Sequence, residues 1–452
     1  MAAPAYLLAC LLLGGSTQGI WAVMFLQLVG IALLAWAILA KPARPASNPQ
    51  WQLFGLILLA LALVGLQCIP LPPSVWTNLG PRQVLADGYR TLGVPLPWQP
   101  LSVAPYDTLT ALLALIPPLA MLAGVLRLGA RPLWLAAALV AGTLAGIMLG
   151  ALQVSSADPA TSSWYLYEQS NFGLATGFFA NANHMADLLV ITLPFLAAMV
   201  ARAGRDRGDG STQRYSGALA LVAGAVLVIA VGIALNGSLA GYGLALPVMV
   251  ASASVALPAR NSAARWLAPL ASVALVATVA WLATTPINSS AGLRANATSS
   301  VQSREEILQT SIKATREFLP LGAGVGTFER VYQLVEDHDR LDPTVVVNHV
   351  HDDYVEIALE AGVPGLLIVA LFLLWWARAA WRGWRAAESD SYARAAVVAS
   401  AAILVHSLVD YPLRTAALAG CFAMCLALLV RSRPQPVAEP TQLRPTRHVV
   451  ID

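Results

Sequence analysis

Residues 19–40 read GIWAVMFLQLVGIALLAWAILA, twenty-two positions without a charged side chain. A bilayer core about 30 Å thick is crossed by about 20 apolar helical residues. The stretch therefore reads as a membrane-spanning helix. Comparable runs lie near 3–15, 51–69, 106–128, 133–154, 184–203, 217–235, 239–257, 265–284, 363–380, 394–411 and 414–431, twelve in all. The first is short and ends at Gly14-Gly15-Ser16. With no basic region and no clear cleavage site before it, it is expected to stay as an anchor. Across its 452 residues the chain is 58% hydrophobic and 11% charged, against roughly 25% charged in a soluble domain. An all-α polytopic membrane protein with about 12 transmembrane helices follows.

The net charge of +3 says little about partners. No basic cluster with interleaved aromatics points to nucleic acid. The four cysteines, Cys10, Cys68, Cys421 and Cys425, all stand in apolar stretches and read as packing residues, without a disulfide framework or zinc spacing. Positive charge sorts the connections between spans. Lys41 and Arg44, Arg127 and Arg131, Arg202, Arg205, Arg207 and Arg214, Arg260 and Arg265, Arg378, Arg382, Arg385 and Arg394, and Arg431 and Arg433 fall on alternate connections. Lys and Arg collect in cytoplasmic loops, which places both termini in the cytoplasm. The opposite side then holds three longer loops, 70–105, 155–183 and 285–362. The organisation expected is a membrane domain over 1–433, with 285–362 as its extracytoplasmic loop, and a Pro-rich disordered tail over 434–452.

Five stretches carry polar chemistry on that outer side. QSREEILQTSIKATREFL (302–319) has helical apolar spacing, with Ser303 and Glu306 placed as a capping box. PLGAGVGTF (320–328) follows; its glycines suit either a tight turn or a close backbone approach to phosphate. NHVHDDYVEIALEAGVPG (348–365) reads as a helix start capped by Asn348. Its acidic first turn suits the helix dipole, and Asp353, Glu356 and Glu360 share one face. A metal cluster at His349, His351 and Asp352 or Asp353, or a histidine base near neutral pH, also fits those residues. GFFANANHMADLL (177–189) sets Asn181, Asn183, His184 and Asp187 at the start of a span, as capping groups or as functional ones. LNGSLAGYG (235–243) and VHSLVDYPLR (405–414) are short outer turns, the latter with Asp410 and Arg414 spaced for a pair.

In this order these stretches resemble the O-antigen ligase and polymerase superfamily, most strongly over 165–380. IPLPPSVW (69–76) and VHSLVDYPLR are similar to features of the same group. The resemblance implies a bacterial inner-membrane enzyme, related in fold to the membrane (GT-C-like) glycosyltransferases, with its catalytic loop on the periplasmic side. It implies transfer of a glycan from an undecaprenyl-diphosphate-linked donor to a glycan or lipid A-core acceptor among membrane lipids. No cofactor or metal is implied. On it, Arg304 matches the arginine that grips the carrier diphosphate, His351 the base or orienting histidine, and Glu360 the helix-end carboxylate. Asn183, His184, Ser238, Gly324 and Gly326 are the further substrate-binding candidates. The family's outer turn often reads Ser-Arg-Gly where Leu239 follows Ser238 here, and Ala182 stands at a second expected cation. Arg82, Arg316 and Arg414 are the candidates for compensation. Other readings of the residues are a protein O-oligosaccharyltransferase of the same superfamily, a polytopic lipid or glycan transporter, and a metallohydrolase using His349, His351 and Asp353.

Overall fold

The computed structural model describes residues 1–41, 45–205, 212–256, 291–336, 347–385 and 390–431. The expected span at 265–284, the tail from 434, and Arg44, Arg207, Arg260, Arg265, His338, Arg340 and Arg433 lie outside the described residues. The chain is mostly helical, about 75%. Among the described residues eight helices are long and apolar enough to cross a membrane: Ile20–Leu39, Asn48–Gln67, Pro105–Leu128, Pro132–Val154, Ala182–Arg205, Tyr215–Asn236, Leu239–Ala256 and Asp353–Arg385. Ala2–Leu13, Ser391–His406 and Ala416–Val430 are shorter apolar helices. Ala2–Leu13, at 12 residues, rises about 18 Å, short of a hydrocarbon core of about 30 Å. It is nevertheless deeply packed, with Leu7, Cys10 and Leu11 fully buried.

The central helix, Ala182–Arg205, is enclosed by Pro132–Val154, Thr212–Asn236, Leu239–Ala256 and Ser391–His406. Its neighbours come close because small residues face it: a Cβ on Gly241 would sit 2.7 Å from the Ala186 Cβ. Buried polar groups pair between helices, as where the Thr143 and Thr192 hydroxyls meet at 2.8 Å. Arg127 donates from its guanidinium to the carbonyls of Ala37, Ile38 and Ala40, a C-terminal cap on Ile20–Leu39.

A second, smaller apolar core joins the loop helix Ala291–Phe318 to helix Phe328–Val335 and to the start of Asp353–Arg385 through Phe318, Phe328, Val331 and Leu359. The loop helix begins upstream of the expected boundary, so Ser303 lies inside it and not at a cap.

Asp353–Arg385 is two helices merged across Gly362, whose φ is 59°. Pro364 has no N–H to offer the carbonyl of Glu360 four residues back. That carbonyl accepts instead from the Gly324 N–H at 2.8 Å and the Gln67 side chain at 3.0 Å. The Leu359 carbonyl takes the Ala323 N–H at 2.9 Å, and the Val363 N–H turns to the Pro320 carbonyl at 2.8 Å. The glycine turn is thus the plug that satisfies the broken helix. A Cβ on Gly362 would lie 2.2 Å from the Pro320 oxygen. Gly362→Ala is therefore expected to destabilise the protein by about 2 kcal/mol or more, read as a lower thermal midpoint in detergent. An unchanged midpoint would mean that the kink is not held by this contact.

Candidate functional site

Three other segments reach the Asp410 carboxylate directly, and a fourth does so through Asn183. The residue stands in the turn 407–415, where Pro412 interrupts helix formation after Ser391–His406. Its Oδ1 accepts the Tyr411 N–H at 2.8 Å. Its Oδ2 accepts from the Asn183 amide at 2.5 Å. The Arg304 guanidinium lies 3.5 Å from Oδ2, His351 Nδ1 lies 3.4 Å from Oδ1, and His184 Nε2 lies 3.7 Å from Oδ1. Ser238 adds a further link, donating to the Asn183 side-chain oxygen Oδ1 at 2.6 Å.

Local sequence explains each placement. Asn181 caps the central helix by accepting the Asn183 N–H at 2.8 Å, which frees Asn183 and His184 to point at Asp410. Asn236 bonds the carbonyls of Ala175 and Ala182, pinning the turn that carries Ser238 beside the helix start. His351 has φ 61°, a left-handed conformation that costs a residue with a β-carbon about 1 kcal/mol. Asp352, not Asn348, caps the following helix by accepting the N–H groups of Tyr354 and Val355.

Asp410 is fully buried, whereas Arg304 and His351 keep 31% and 21% of their side chains exposed. The arginine and the imidazole are thus the part-exposed members of the group, with the carboxylate behind them. Burial alone would raise the Asp410 carboxyl, but the neighbouring His184 and His351 hold it well below the usual range. Tyr411 forms the floor, its ring 4.2 Å from that of His349 and 4.9 Å from those of His184 and His351. Burial raises its phenol.

A second cluster lies alongside. Asp353, Glu356 and Glu360, the shared acidic face of the sequence, all turn to Arg414 at 3.4, 3.2 and 3.3 Å. His349 Nδ1 sits 2.8 Å from Glu356, and Glu360 also accepts the Phe328 N–H. Burial works to lower the Arg414 guanidinium, yet the three acids raise it overall. The expected Asp410–Arg414 pair is replaced by these two separate sets, because a turn broken by proline does not bring positions i and i+4 together as a helix does. Deeper still, His406 Nδ1 lies 2.7 Å from Asp187, both buried.

The other candidates fall elsewhere. Gly324 is packed with its Cβ position 2.4 Å from the Ser102 hydroxyl, and Gly326 2.8 Å from the Asp107 carbonyl. The N–H groups of Gly322, Ala323, Gly324, Val325 and Thr327 are bonded within the protein and are not directed at a phosphate. Arg82 is buried, donating to the Pro100 carbonyl at 2.8 Å; burial lowers its guanidinium. Arg316 is exposed on the loop helix. No described contact joins either arginine to Asp410, and Arg414 is occupied by acids. Among the described residues no three His, Cys, Asp or Glu side chains converge as around a metal ion.

Asp410 and Tyr411 were legible only as members of the VHSLVDYPLR stretch. Their roles come from contacts with segments more than fifty positions away in sequence. No curated protein matches the chain. The family model described as O-antigen ligase matches residues 223–370, the region that contributes Ser238, Arg304 and His351. That match, over about a third of the chain, bears out the resemblance to the O-antigen ligase and polymerase superfamily read from the motifs.

Proposed function

We propose that this protein transfers a glycan from an undecaprenyl-diphosphate carrier to an acceptor hydroxyl during surface polysaccharide synthesis, on the periplasmic side of the inner membrane. The family match supports ligase- or polymerase-type glycan transfer. The observation that carries the finer reading is the buried Asp410 behind the part-exposed pair Arg304 and His351. Arg127, Arg205 and Arg431 sit at helix ends away from that group, which favours the site facing outward.

In this mechanism the acceptor oxygen attacks the anomeric carbon in a single displacement with inversion. The new C–O bond forms as the sugar–diphosphate bond breaks, and the electron pair leaves with the diphosphate. Arg304 stands where that charge develops; a guanidinium holds phosphate oxygens in a bidentate fork. The acceptor proton passes to His351. With Nδ1 toward Asp410, Nε2 is the nitrogen left to face the hydroxyl. Asp410 steadies the imidazolium that results, as a buried carboxylate does behind a catalytic histidine. No step calls for a metal ion, since Arg304 supplies the positive charge.

The test is transfer from a purified lipid-linked donor in the presence of a chelator. Arg304→Ala and His351→Ala are each expected to lower turnover by about 100-fold, with the wild type unaffected by chelation. Full activity in both variants would overturn the mechanism. Glycan analysis of a deletion strain then names the acceptor. A single retained repeat marks a polymerase, accumulated carrier-linked polymer marks a ligase, and loss of glycan from protein marks a protein transferase.

A further inference from the structure

The loop 70–104 contains one element that the site does not use. Its ends are closed by a short antiparallel pairing of Pro70–Leu71 with Gln99–Pro100. Between them runs a nine-residue surface helix, Gln83–Thr91. Its faces are sharply divided. Ala86 is buried against the protein, and the preceding Arg82 is buried with it. Asp87 and Arg90 form an exposed ion pair at 2.7 Å. Val84, Leu85 and, just past the helix end, Leu92 lie on a remaining face, and they are bare: Val84 is 80% and Leu92 76% exposed.

That face does not stand alone. Exposed Trp98 leads on to Tyr106, 84% exposed at the start of the spanning helix Pro105–Leu128. Below Tyr106 the same spanning helix continues with exposed Leu109 and Leu113. Tyr and Trp at this position are typical of the headgroup boundary. The same loop thus carries exposed apolar side chains from Val84 to Trp98 and runs directly into a spanning helix whose surface lipid must cover. A short helix with one apolar and one charged face lies in the plane of such a boundary.

The loop is also tied rigidly to the site. A Cβ on Gly80 would lie 3.2 Å from the carbonyl of Glu317, at the end of the loop helix that carries Arg304. At the other end, the Val103 N–H bonds the Ala323 carbonyl at 2.8 Å and Ser102 packs on Gly324. Arg82 holds the two arms together through Pro100.

We propose that Gln83–Thr91 and its flanks are seated in the lipid leaflet on the site side of the membrane, and that this seat sets the depth of the loop helix. The C-terminal end of that helix is then fixed by lipid and its middle by the Arg304–Asp410 contact. Arg304 is held at headgroup depth, where the diphosphate of a lipid-linked donor lies. The consequence for the donor rests on the proposed function; the membrane seat does not.

The test uses the full-length protein in vesicles of phosphatidylethanolamine and phosphatidylglycerol, with Cys68 replaced by serine and the three buried cysteines left in place. A fluorophore on Val84→Cys or Leu92→Cys is expected to be quenched by lipid-borne nitroxide and shielded from aqueous iodide. The same label on Asp87→Cys is expected to behave in the opposite way. Equal iodide quenching at all three positions would overturn the seat. So would shielding from both quenchers, which marks contact with a second protein. Val84→Glu with Leu92→Glu is expected to slow transfer from the long-chain donor in vesicles about tenfold. With a short-chain donor in detergent, transfer should be unchanged. Should the labels insert while Arg304→Ala keeps full activity, the seat stands and the reading of the site falls. Labels in water with an inactive Arg304→Ala give the reverse.

Discussion

Asp410→Asn is expected to lower glycan transfer by about 100- to 1,000-fold while the protein stays folded. The substitution keeps the side-chain shape, and its one remaining oxygen can accept from either the Tyr411 N–H or the Asn183 amide, which now lie at 2.8 and 2.5 Å from the two carboxylate oxygens. It removes the negative charge that Arg304, His351 and His184 face. An imidazolium forming at His351 then has no counter-charge behind it, and the arginine loses one of the contacts that orient it. The loss should fall on turnover more than on donor affinity, because the carboxylate is buried and does not touch substrate. An unaltered turnover number in a folded Asp410→Asn variant would show that the charge is dispensable. The pH dependence follows in sign. A carboxyl held below its ordinary value adds stability that is present above its unfolded pKa, about 3.9. That contribution is lost as pH falls through the folded value. Asp410 therefore stays ionised across the working range, and an acid limb above about pH 5 belongs to another group.

Arg414→Leu is expected to be the most damaging change to stability. It leaves Asp353, Glu356 and Glu360, now arranged at 3.2 to 3.4 Å around one guanidinium, without their cation. Breaking a buried ion pair from one side typically costs about 3–5 kcal/mol, and here three acids share the loss. Lysine in its place should recover only part, since a single ammonium cannot reach three carboxylates as a planar fork does. The expected readout is a large fall in thermal midpoint and in detergent-extracted yield. Glu360→Gln added to Arg414→Leu should regain stability, because it removes surplus negative charge. If the double variant is no more stable than the single one, Arg414 acts through packing and not as counter-charge.

The surface helix adds a different kind of dependence. Its proposed effect on transfer is felt only where the donor is held in a bilayer. Comparison of vesicles with detergent therefore separates it from the chemistry at Asp410.

Runs such as 19–40 made the spanning helices plain, since no other environment accepts twenty apolar helical residues in a row. The helical spacing of Asp353, Glu356 and Glu360 told that they share a face, because that relation is local. The glycines at 320–326 and the AGVPG break were visible as irregular points. That each satisfies the other was not, because hydrogen bonds between two turns leave no mark in either. Gly324 and Gly326 looked open to phosphate for the same reason. The first segment read as short in the sequence, and its twelve helical residues pack inside the bundle without matching the bilayer thickness.

The sequence by itself determined a helical membrane protein that resembles the O-antigen ligase and polymerase superfamily, with Arg304 and His351 as residues to examine. Hydrophobic run length and motif order are properties of the linear chain. Only the tertiary structure decided that Asp410 is the common partner of Arg304, His351, His184 and Asn183, and that Arg414 belongs to a separate acidic set. A buried carboxylate selects its partners by distance in space, and the segments that meet at Asp410 are brought together only when the helices between them pack.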